Sequence, residues 1–329
     1  MEIKLVQKNQ LFRPDATQKL MAFGGLLALV IVFSIASPNF FKFENIVSII
    51  LSTCVTGMLA LGVTFVIITA GIDLSIGTVM TFSSVMTGVF ITYWKLPLPL
   101  GVLGGISAGA LCGYLNGFAT AKMKLPPFIS TLAMMGVTKG LSLVISNSKP
   151  IYFNDTPAFQ KISMGSILNT IIPGFEIPNS VLIFFVIAII ASLVLTKTVL
   201  GRYTFAIGSN EEATRLSGVN VDAWKIAIYT LCGLFCGIAG IMMSSRLNSA
   251  QPALGVGYEL EAISAVVIGG TSLSGGEGSI LGTFIGAFIM SVLTNGLRIL
   301  SVKPEWQPVV TGIIVILAVY MDTIRRRKS

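Results

Sequence analysis

Residues 46–77 read IVSIILSTCVTGMLALGVTFVIITAGIDLSIG, and no charged side chain interrupts this stretch before Asp73. A helix that crosses a bilayer needs about 20 mainly apolar residues, so the part from 46 to 68 is long enough to span a membrane. The run then stops at a break, AGIDLSIG, before a second apolar run begins. The stretch predicts membrane-spanning helices joined by short, glycine-containing breaks.

Apolar runs of this kind fill most of the chain. Of its 329 residues, 53% are hydrophobic and 11% are charged, a balance unsuited to a water-soluble domain of this size. The predicted fold is therefore an all-α integral membrane protein with about ten transmembrane helices. The ten candidate spans are 20–36, 46–68, 74–94, 98–121, 126–146, 180–197, 225–245, 259–274, 280–300 and 308–321.

The eighth candidate span is interrupted. Residues 259–279, ELEAISAVVIGGTSLSGGEGS, begin with glutamates and end among glycines. We predict broken or re-entrant segments near 268–278 and near 71–77, because irregular backbone at membrane depth is tolerated where protein or water covers it. The pattern Gly-x-x-Leu-Ser-x-Gly occurs at both 71–77 and 270–276. This similarity fits either an internal duplication or two unrelated glycine-rich turns.

The positions of lysine and arginine predict the orientation, because short cytoplasmic loops carry an excess of them. If both termini are cytoplasmic, fourteen of the 22 lie inside, seven lie outside and Lys139 lies within a span. The net charge of +8 then reflects membrane topology, and no nucleic-acid partner is expected. The predicted parts are a cytoplasmic N-terminal segment (1–19), a transmembrane domain (20–321) with an irregular external loop (147–179) and a cytoplasmic loop (198–224), and a basic cytoplasmic tail (322–329).

The chain lacks the side chains of most catalytic sites. It contains no histidine, its four cysteines lie within apolar runs, and no GxxxxGK(S/T) phosphate-binding loop occurs. We therefore expect no enzymatic activity, no metal site and no cofactor in this chain. If the chain serves a process that uses ATP, another subunit must hydrolyse it.

One segment of the cytoplasmic loop carries consistent helix signals. Residues 208–221 read GSNEEATRLSGVNV. Ser209 and Glu212 have the spacing of a capping box, and Glu211 lies in the first turn, where the helix dipole favours an anion. Gly218 can take the left-handed conformation that ends a helix. The segment predicts a helix of two turns.

A helix this short needs support. Isolated helices below about 12 residues are marginal in water, so we expect the segment to dock on a partner surface. Ala213 and Leu216 form a small apolar face, and Glu212 could pair with Arg215 beside it. The alternative is a solvated surface turn that happens to be capped.

The same residues carry a family resemblance. Glu212-Ala213-Thr214-x-x-x-Gly218 resembles the Glu-Ala-Ala-x-x-x-Gly loop of ATP-binding-cassette importer permeases, with threonine in place of the second alanine. The wider runs LGRYTFAIGSNEEATRLSGVNV and TFVIITAGIDLSIG look like those of the ribose-type monosaccharide permeases. The similarity extends from about residue 37 to the end of the chain.

The resemblance implies an assembly in a bacterial cell inner membrane, surrounded by membrane lipid. It implies a cytoplasmic ATPase subunit that binds ATP-Mg, an extracytoplasmic sugar-binding protein and a second permease copy, for which a homodimer is our expectation. In that superfamily the charged segment is the coupling helix that docks on the ATPase. The coupling residues would be Ser209, Glu211, Glu212, Ala213, Thr214, Arg215, Leu216 and Gly218.

Polar residues within spans are the candidates for a translocation pathway, because a monosaccharide is neutral and rich in hydroxyls. Asn116 and Asn295 could line the pathway or could join helices by hydrogen bonds. Lys139 could serve the pathway or could extend to the membrane surface. Asp73 could cap the third span or, if it lies deeper, organise the break.

Three charged residues are candidate contacts for the sugar-binding protein. Glu259 and Glu261 are expected to face outside, near Arg246. The alternative is a solvated helix start that meets no partner.

Two other functions remain open. An ion-coupled secondary transporter usually needs acidic or histidine side chains within the membrane, and Asp73 is the one acid that could lie deep in a span. A permease of the same superfamily could instead carry a branched-chain amino acid or a sugar-like signal molecule.

Overall fold

The computed structural model describes residues 14–172, 174, 176–303 and 305–326. Within these ranges the chain is almost entirely helical. The α-helices are α1 (Pro14–Ala36), α2 (Phe43–Ile68), α3 (Ile76–Gly88), α4 (Leu98–Ala121), α5 (Pro127–Ile145), α6 (Pro157–Met164), α7 (Ile167–Ile171), α8 (Asn179–Lys197), α9 (Val199–Ser209), α10 (Glu211–Leu216), α11 (Val221–Leu247), α12 (Tyr258–Ile268), α13 (Ile280–Ile299) and α14 (Trp306–Arg326). A π-helical turn (Val89–Tyr93) continues α3, and two short strands are β1 (Ile151–Tyr152) and β2 (Ser249–Ala250).

The all-α membrane fold is confirmed. Among the described residues, eight helices are long and apolar enough to cross a membrane, and they correspond to eight of the ten predicted spans. The predicted span 308–321 lies within the 21-residue helix α14. The predicted span 259–274 becomes α12, whose 11 residues reach about 16 Å, roughly half of a bilayer core. The predicted N-terminal segment lies mostly outside the described residues, as do the last three residues of the predicted tail.

Both predicted breaks are present. α2 ends at Ile68 and α3 begins at Ile76, and α12 ends at Ile268 while α13 begins at Ile280. The structures of the two helix ends match, because the amides of Gly71 and Thr271 each bond to the carbonyl five residues earlier. Gly71 therefore corresponds structurally to Thr271, whereas the repeated sequence pattern aligns Gly71 with Gly270.

The core is built from α2, α3, α4, α11 and α13, and glycines set its closest contact. A Cβ atom at Gly113 would overlap the carbonyl oxygen of Tyr229, and a Cβ atom at Gly233 would overlap that of Gly109. Small residues let the backbones of membrane helices approach closely. α4 and α11 therefore pack backbone against backbone along much of their length.

The predicted external loop, 147–179, is more ordered than expected. It contains α6, α7 and β1, and β1 pairs with β2 so that Ile151 lies opposite Ala250. The amide of Ser163 donates to Ser245 Oγ at 2.9 Å, which fixes α6 on α11. Two prolines that suggested an irregular loop instead mark helix starts: Pro157 begins α6 and Pro178 is the N-cap of α8.

Candidate functional site

The predicted charged helix is α10, and its cap differs from the prediction. Ser209 is the last residue of α9, and Asn210 is the N-cap, with an extended backbone and an Oδ1 atom that accepts from the Ala213 amide at 2.9 Å. The predicted capping box of Ser209 and Glu212 is wrong. Because the cap lies one residue later, Glu212 stands two residues beyond the cap instead of three.

The C-terminal end of α10 follows the prediction. Gly218 has a φ of +85°, and its amide donates to the carbonyl oxygen of Arg215 at 3.1 Å. A residue with a Cβ atom would be strained in this left-handed conformation. The glycine therefore ends the helix and turns the chain towards α11.

Ion pairs hold α10 on α11, but the predicted pair of Glu212 with Arg215 is wrong. Arg215 Nη2 lies 2.9 Å from Asp222 Oδ1 and 3.3 Å from Glu211 Oε1. Lys225 Nζ lies 2.5 Å from Glu211 Oε2. The i,i+4 spacing favours Glu211, and the start of α11 supplies the other partners.

These pairs favour the ionised forms of Glu211 and Arg215 on α10. Partial burial raises the pKa of Glu211, but hydrogen bonds and attraction from Lys225 and Arg215 outweigh burial and hold the pKa below its ordinary value. The hydrogen bond to Asp222 raises the pKa of Arg215. The surface that a two-turn helix requires is thus supplied by the chain itself.

The outward face of α10 carries the predicted apolar side chains. Leu216 is 83% exposed, and Glu212 and Ala213 are also exposed. Thr214 faces inward, where its hydroxyl donates to the carbonyl oxygen of Asn210 at 2.8 Å. The arrangement leaves a folded helix with an uncovered leucine, which suits the docking of a partner.

Behind α10, the end of α9 contacts both breaks. The amide of Gly276 donates to the carbonyl oxygen of Ile68 at 2.9 Å, and a Cβ atom at Gly208 would overlap that same oxygen. Ser209 Oγ would lie 2.9 Å from a Cβ atom at Gly276. Sequence patterns alone did not predict these contacts. The glycines at 208 and 275–276 could have indicated them, because such close backbone packing requires residues without a side chain.

The first break is organised around Asp73, which is 2% exposed. Asp73 Oδ1 accepts from the amide of Ser75 at 2.9 Å and from its hydroxyl at 2.6 Å, and Asn116 Nδ2 donates to Ser75 Oγ at 2.9 Å. The N-cap of α3 is Ser75, and no side chain caps this helix. Asp73 thus shapes the break, and the capping alternative is wrong.

The other candidate pathway residues lie on three different helices, α4, α5 and α13. Asn116 and Asn295 are buried, and the Oδ1 atom of each lacks a hydrogen-bond partner among the described residues. Lys139 is exposed on α5, as expected for a side chain that extends away from the helix bundle. The hydroxyl of Thr138, next to it, donates inward to Thr78 Oγ1 at 2.8 Å and so joins α5 to α3.

The candidate contacts for a binding protein are more enclosed than predicted. Glu259 is 6% exposed, and its carboxylate accepts from the amide of Gly257 at 3.0 Å. Glu261 accepts from Thr56 Oγ1 at 3.3 Å, and Arg246 is half-buried. The side chain of Glu259 is therefore enclosed by the chain, where its carboxylate accepts from the backbone at the start of α12, and its contact with a binding protein stays a prediction.

Comparison with known proteins adds independent findings. Residues 45–319 match the family model described as branched-chain amino acid transport system / permease component. The ribose import permease protein RbsC of Bacillus subtilis (strain 168) is 44% identical over 95% of this chain and 94% of its own length. The RbsC protein of Escherichia coli (strain K12) is 40% identical, over 90% and 91%. The fructose import permease protein FrcC of Rhizobium meliloti is 38% identical, over 97% and 88%.

Proposed function

The chain belongs to the branched-chain amino acid transport system / permease component family, and from this premise we propose that it is the membrane-spanning permease subunit of an ATP-driven importer for a monosaccharide, with ribose as the first choice. The observation that carries the proposal is the 44% identity to a ribose import permease along nearly the whole chain. The role of this subunit is transport, and it catalyses no bond-breaking step.

Two findings bear on the identity of the transported solute. The family description names a branched-chain amino acid system, whereas the relatives with 38–44% identity carry ribose and fructose in their names. The relatives match at least 90% of this chain, so the sugar is favoured. A branched-chain amino acid is the second candidate, and the family description supports it.

The coupling role falls to α10. In the proposed assembly, an ATPase subunit that binds ATP-Mg docks on the face with Leu216, and its movement passes through the end of α9 to Ile68 and Gly276. ATP must bind one conformation of the assembly more tightly than the other, because equal affinity would shift no population. The exposed leucine and the backbone contacts behind it support this role.

The rest of the assembly follows the family. We place the chain in the bacterial inner membrane with both termini in the cytoplasm, paired with an identical copy and served by an extracytoplasmic sugar-binding protein. The surplus of lysine and arginine on the α10 side supports the orientation. Twofold pairing is the commonest oligomeric arrangement and supports the homodimer.

Reconstitution tests the proposal. The permease would be purified through an affinity tag, its co-purified subunits identified, and the complex placed in liposomes with ATP inside and the binding protein with labelled ribose outside. We expect uptake that stops when ATP is replaced by a non-hydrolysable analogue. Leu216→Asp should abolish uptake, while Leu216→Met, which keeps an apolar side chain, should retain it.

Two outcomes would replace the proposal. Uptake of labelled leucine in place of ribose would select the second candidate. A permease that purifies without an ATPase and transports down an ion gradient would show an ion-coupled secondary transporter.

A further inference from the structure

One carboxylate beside α10 gathers cations from two parts of the chain. Asp222 Oδ1 lies 2.9 Å from Arg215 Nη2 and 3.0 Å from Lys124 Nζ, and its Oδ2 lies 3.6 Å from Lys122 Nζ. The Asp222 side chain is 14% exposed, whereas the three cations are largely exposed. Asp222 therefore holds the turn after α4 against α10.

The turn after α4 is tightly folded. Lys124 has a φ of +56°, a left-handed conformation that is costly for a residue with a side chain. The amide of Met123 bonds to the carbonyl of Phe118 at 3.3 Å, and that of Leu125 bonds to the carbonyl of Ala119 at 3.1 Å. This folding leaves Met123 59% exposed next to the cation cluster.

The resulting surface has a definite chemistry. The turn 122–125 contributes two lysines and no carboxylate, so its side of the surface is positive, whereas Glu211 and Glu212 supply carboxylates on the α10 side. Two exposed apolar side chains, Met123 and Leu216, flank the cluster. A complementary partner face would offer an apolar pocket with carboxylates opposite the turn 122–125. The ion pairs make this surface continuous across the two elements.

We propose that the turn 122–125 is a second contact for the ATPase subunit, which docks on this turn and α10 as one surface. The inference rests on the proposed function, because it assumes that an ATPase binds α10. The proposed second contact lies outside the coupling segment, and no motif in that segment predicts it. The partner is the same ATPase, and its matching face carries acidic groups.

Lipid headgroups are the competing partner for two lysines at a membrane surface. Both lysines, however, point to Asp222 and so towards α10. Asp222 also cancels part of their charge, which weakens their attraction for an anionic bilayer. The geometry favours a protein partner.

The proposal has a mechanical consequence. A contact at α10 alone acts on α9 and α11, whereas a contact at 122–125 acts directly on α4. Because α4 and α11 pack backbone against backbone, the two contacts would move these helices as one unit.

Photo-crosslinking of the purified permease–ATPase complex tests the proposal. A benzophenone amino acid would be placed at Met123, at Leu216 and, as a control on the opposite end of the chain, at Leu96, and the products would be identified by mass spectrometry. We expect Met123 and Leu216 to crosslink to the ATPase and Leu96 not to. Crosslinking at Leu216 with only lipid adducts at Met123 would overturn the inference and leave the proposed function intact. Crosslinking at neither position would remove the proposed function as well.

Binding measurements give a second test. Lys122→Glu with Lys124→Glu should weaken ATPase binding about tenfold or more and reduce its salt dependence, because two favourable charges become unfavourable. Lys95 is an exposed lysine on the opposite end of the chain and pairs with Asp155. Lys95→Glu is therefore the matched control, and this variant should bind the ATPase normally. Unchanged affinity in the double variant, with a normal elution profile in detergent, would overturn the inference.

Discussion

The amide nitrogen of Gly276 donates a hydrogen bond to the carbonyl oxygen of Ile68, 2.9 Å away, and so joins the two breaks in the helices. The last carbonyls of a helix have no partner within it, and here the second break supplies one for α2. Gly208, at the end of α9, packs on the same carbonyl. Three elements thus meet at one backbone atom, directly behind α10.

The packing at Gly208 can be tested by adding a methyl group. In Gly208→Ala the Cβ atom would overlap the Ile68 carbonyl oxygen, so α9 must shift, at a cost of about 1–3 kcal/mol. We expect loss of ATP-driven uptake, while the protein still binds its ATPase. Uptake into liposomes and co-purification of the ATPase measure the two effects.

Gly136→Ala is the matched control for this variant. Gly136 lies in α5, and no neighbouring atom of the described residues comes within 4 Å of a Cβ added there, so uptake by this variant should be normal. Normal uptake in Gly208→Ala as well would show that the contact does not transmit movement.

Two substitutions can separate the hydrogen-bonding role of Asp73 from a role of its charge. Asp73→Asn keeps an oxygen that can accept from Ser75, whereas Asp73→Ala leaves two buried donors of Ser75 unsatisfied, at about 1–3 kcal/mol each. We expect the asparagine variant to keep most of its uptake and the alanine variant to lose thermal stability in detergent. Loss of uptake in a stable asparagine variant would show instead that the carboxylate itself serves transport.

The anchoring of α10 should depend on pH. Because the pKa of Glu211 is lowered in the folded protein, its stabilising contribution is complete above the ordinary glutamate pKa of about 4.3 and is lost as the pH falls through the lowered value. A spin label at Leu216→Cys should therefore report the backbone order of a folded helix from pH 7 to about 4.3 and become more mobile below that range.

Glu211→Gln provides the control for the pH experiment. Its label should be more mobile at neutral pH and should show little further change on acidification, because the titrating group is gone. A label that loosens identically in both proteins would assign the change to other groups.

The end of α10 depends on a backbone conformation. Gly218 has open space around it, so Gly218→Ala meets no clash, and its cost of roughly 1 kcal/mol comes from the left-handed φ of +85°. We expect reduced uptake in Gly218→Ala and a smaller reduction in Gly218→Asn, because asparagine tolerates this conformation better. Equal effects of the two variants would show that the glycine is needed for another reason.

The orientation in the membrane can be tested by labelling. The native cysteines Cys54, Cys112, Cys232 and Cys236 are buried and would first be replaced. Ser209→Cys should react with an impermeant thiol reagent from the cytoplasmic face, and Asp155→Cys, an exposed position on the opposite end, should react from outside. Reversed labelling would invert the predicted topology.

Sequence patterns predicted the features that depend on local chemistry. The apolar runs located the spans, the glycines located both breaks, and Gly218 located the end of α10. The cap was misplaced by one residue, since Ser209 and Asn210 are both good caps and only the backbone at Asn210 decides between them.

Features that depend on distant contacts escaped the sequence analysis. No sequence pattern singled out Asp222, which pairs with cations from α10 and from the turn after α4. Glu259 was expected as a contact for a binding protein or at a solvated helix start, yet the surrounding chain encloses its side chain. A single sequence does not show which loops meet in three dimensions.

The cap at Asn210 and the ion pairs of Arg215 and Glu211 mean that α10 is already folded before any partner arrives. Binding of the ATPase then requires little ordering of the chain, so most of the interaction free energy remains available for affinity. The association should behave as rigid docking, with a heat-capacity change set by the buried apolar surface alone and without the larger signature of coupled folding. A preorganised docking element of this kind lets the two subunits dissociate and reassemble without refolding.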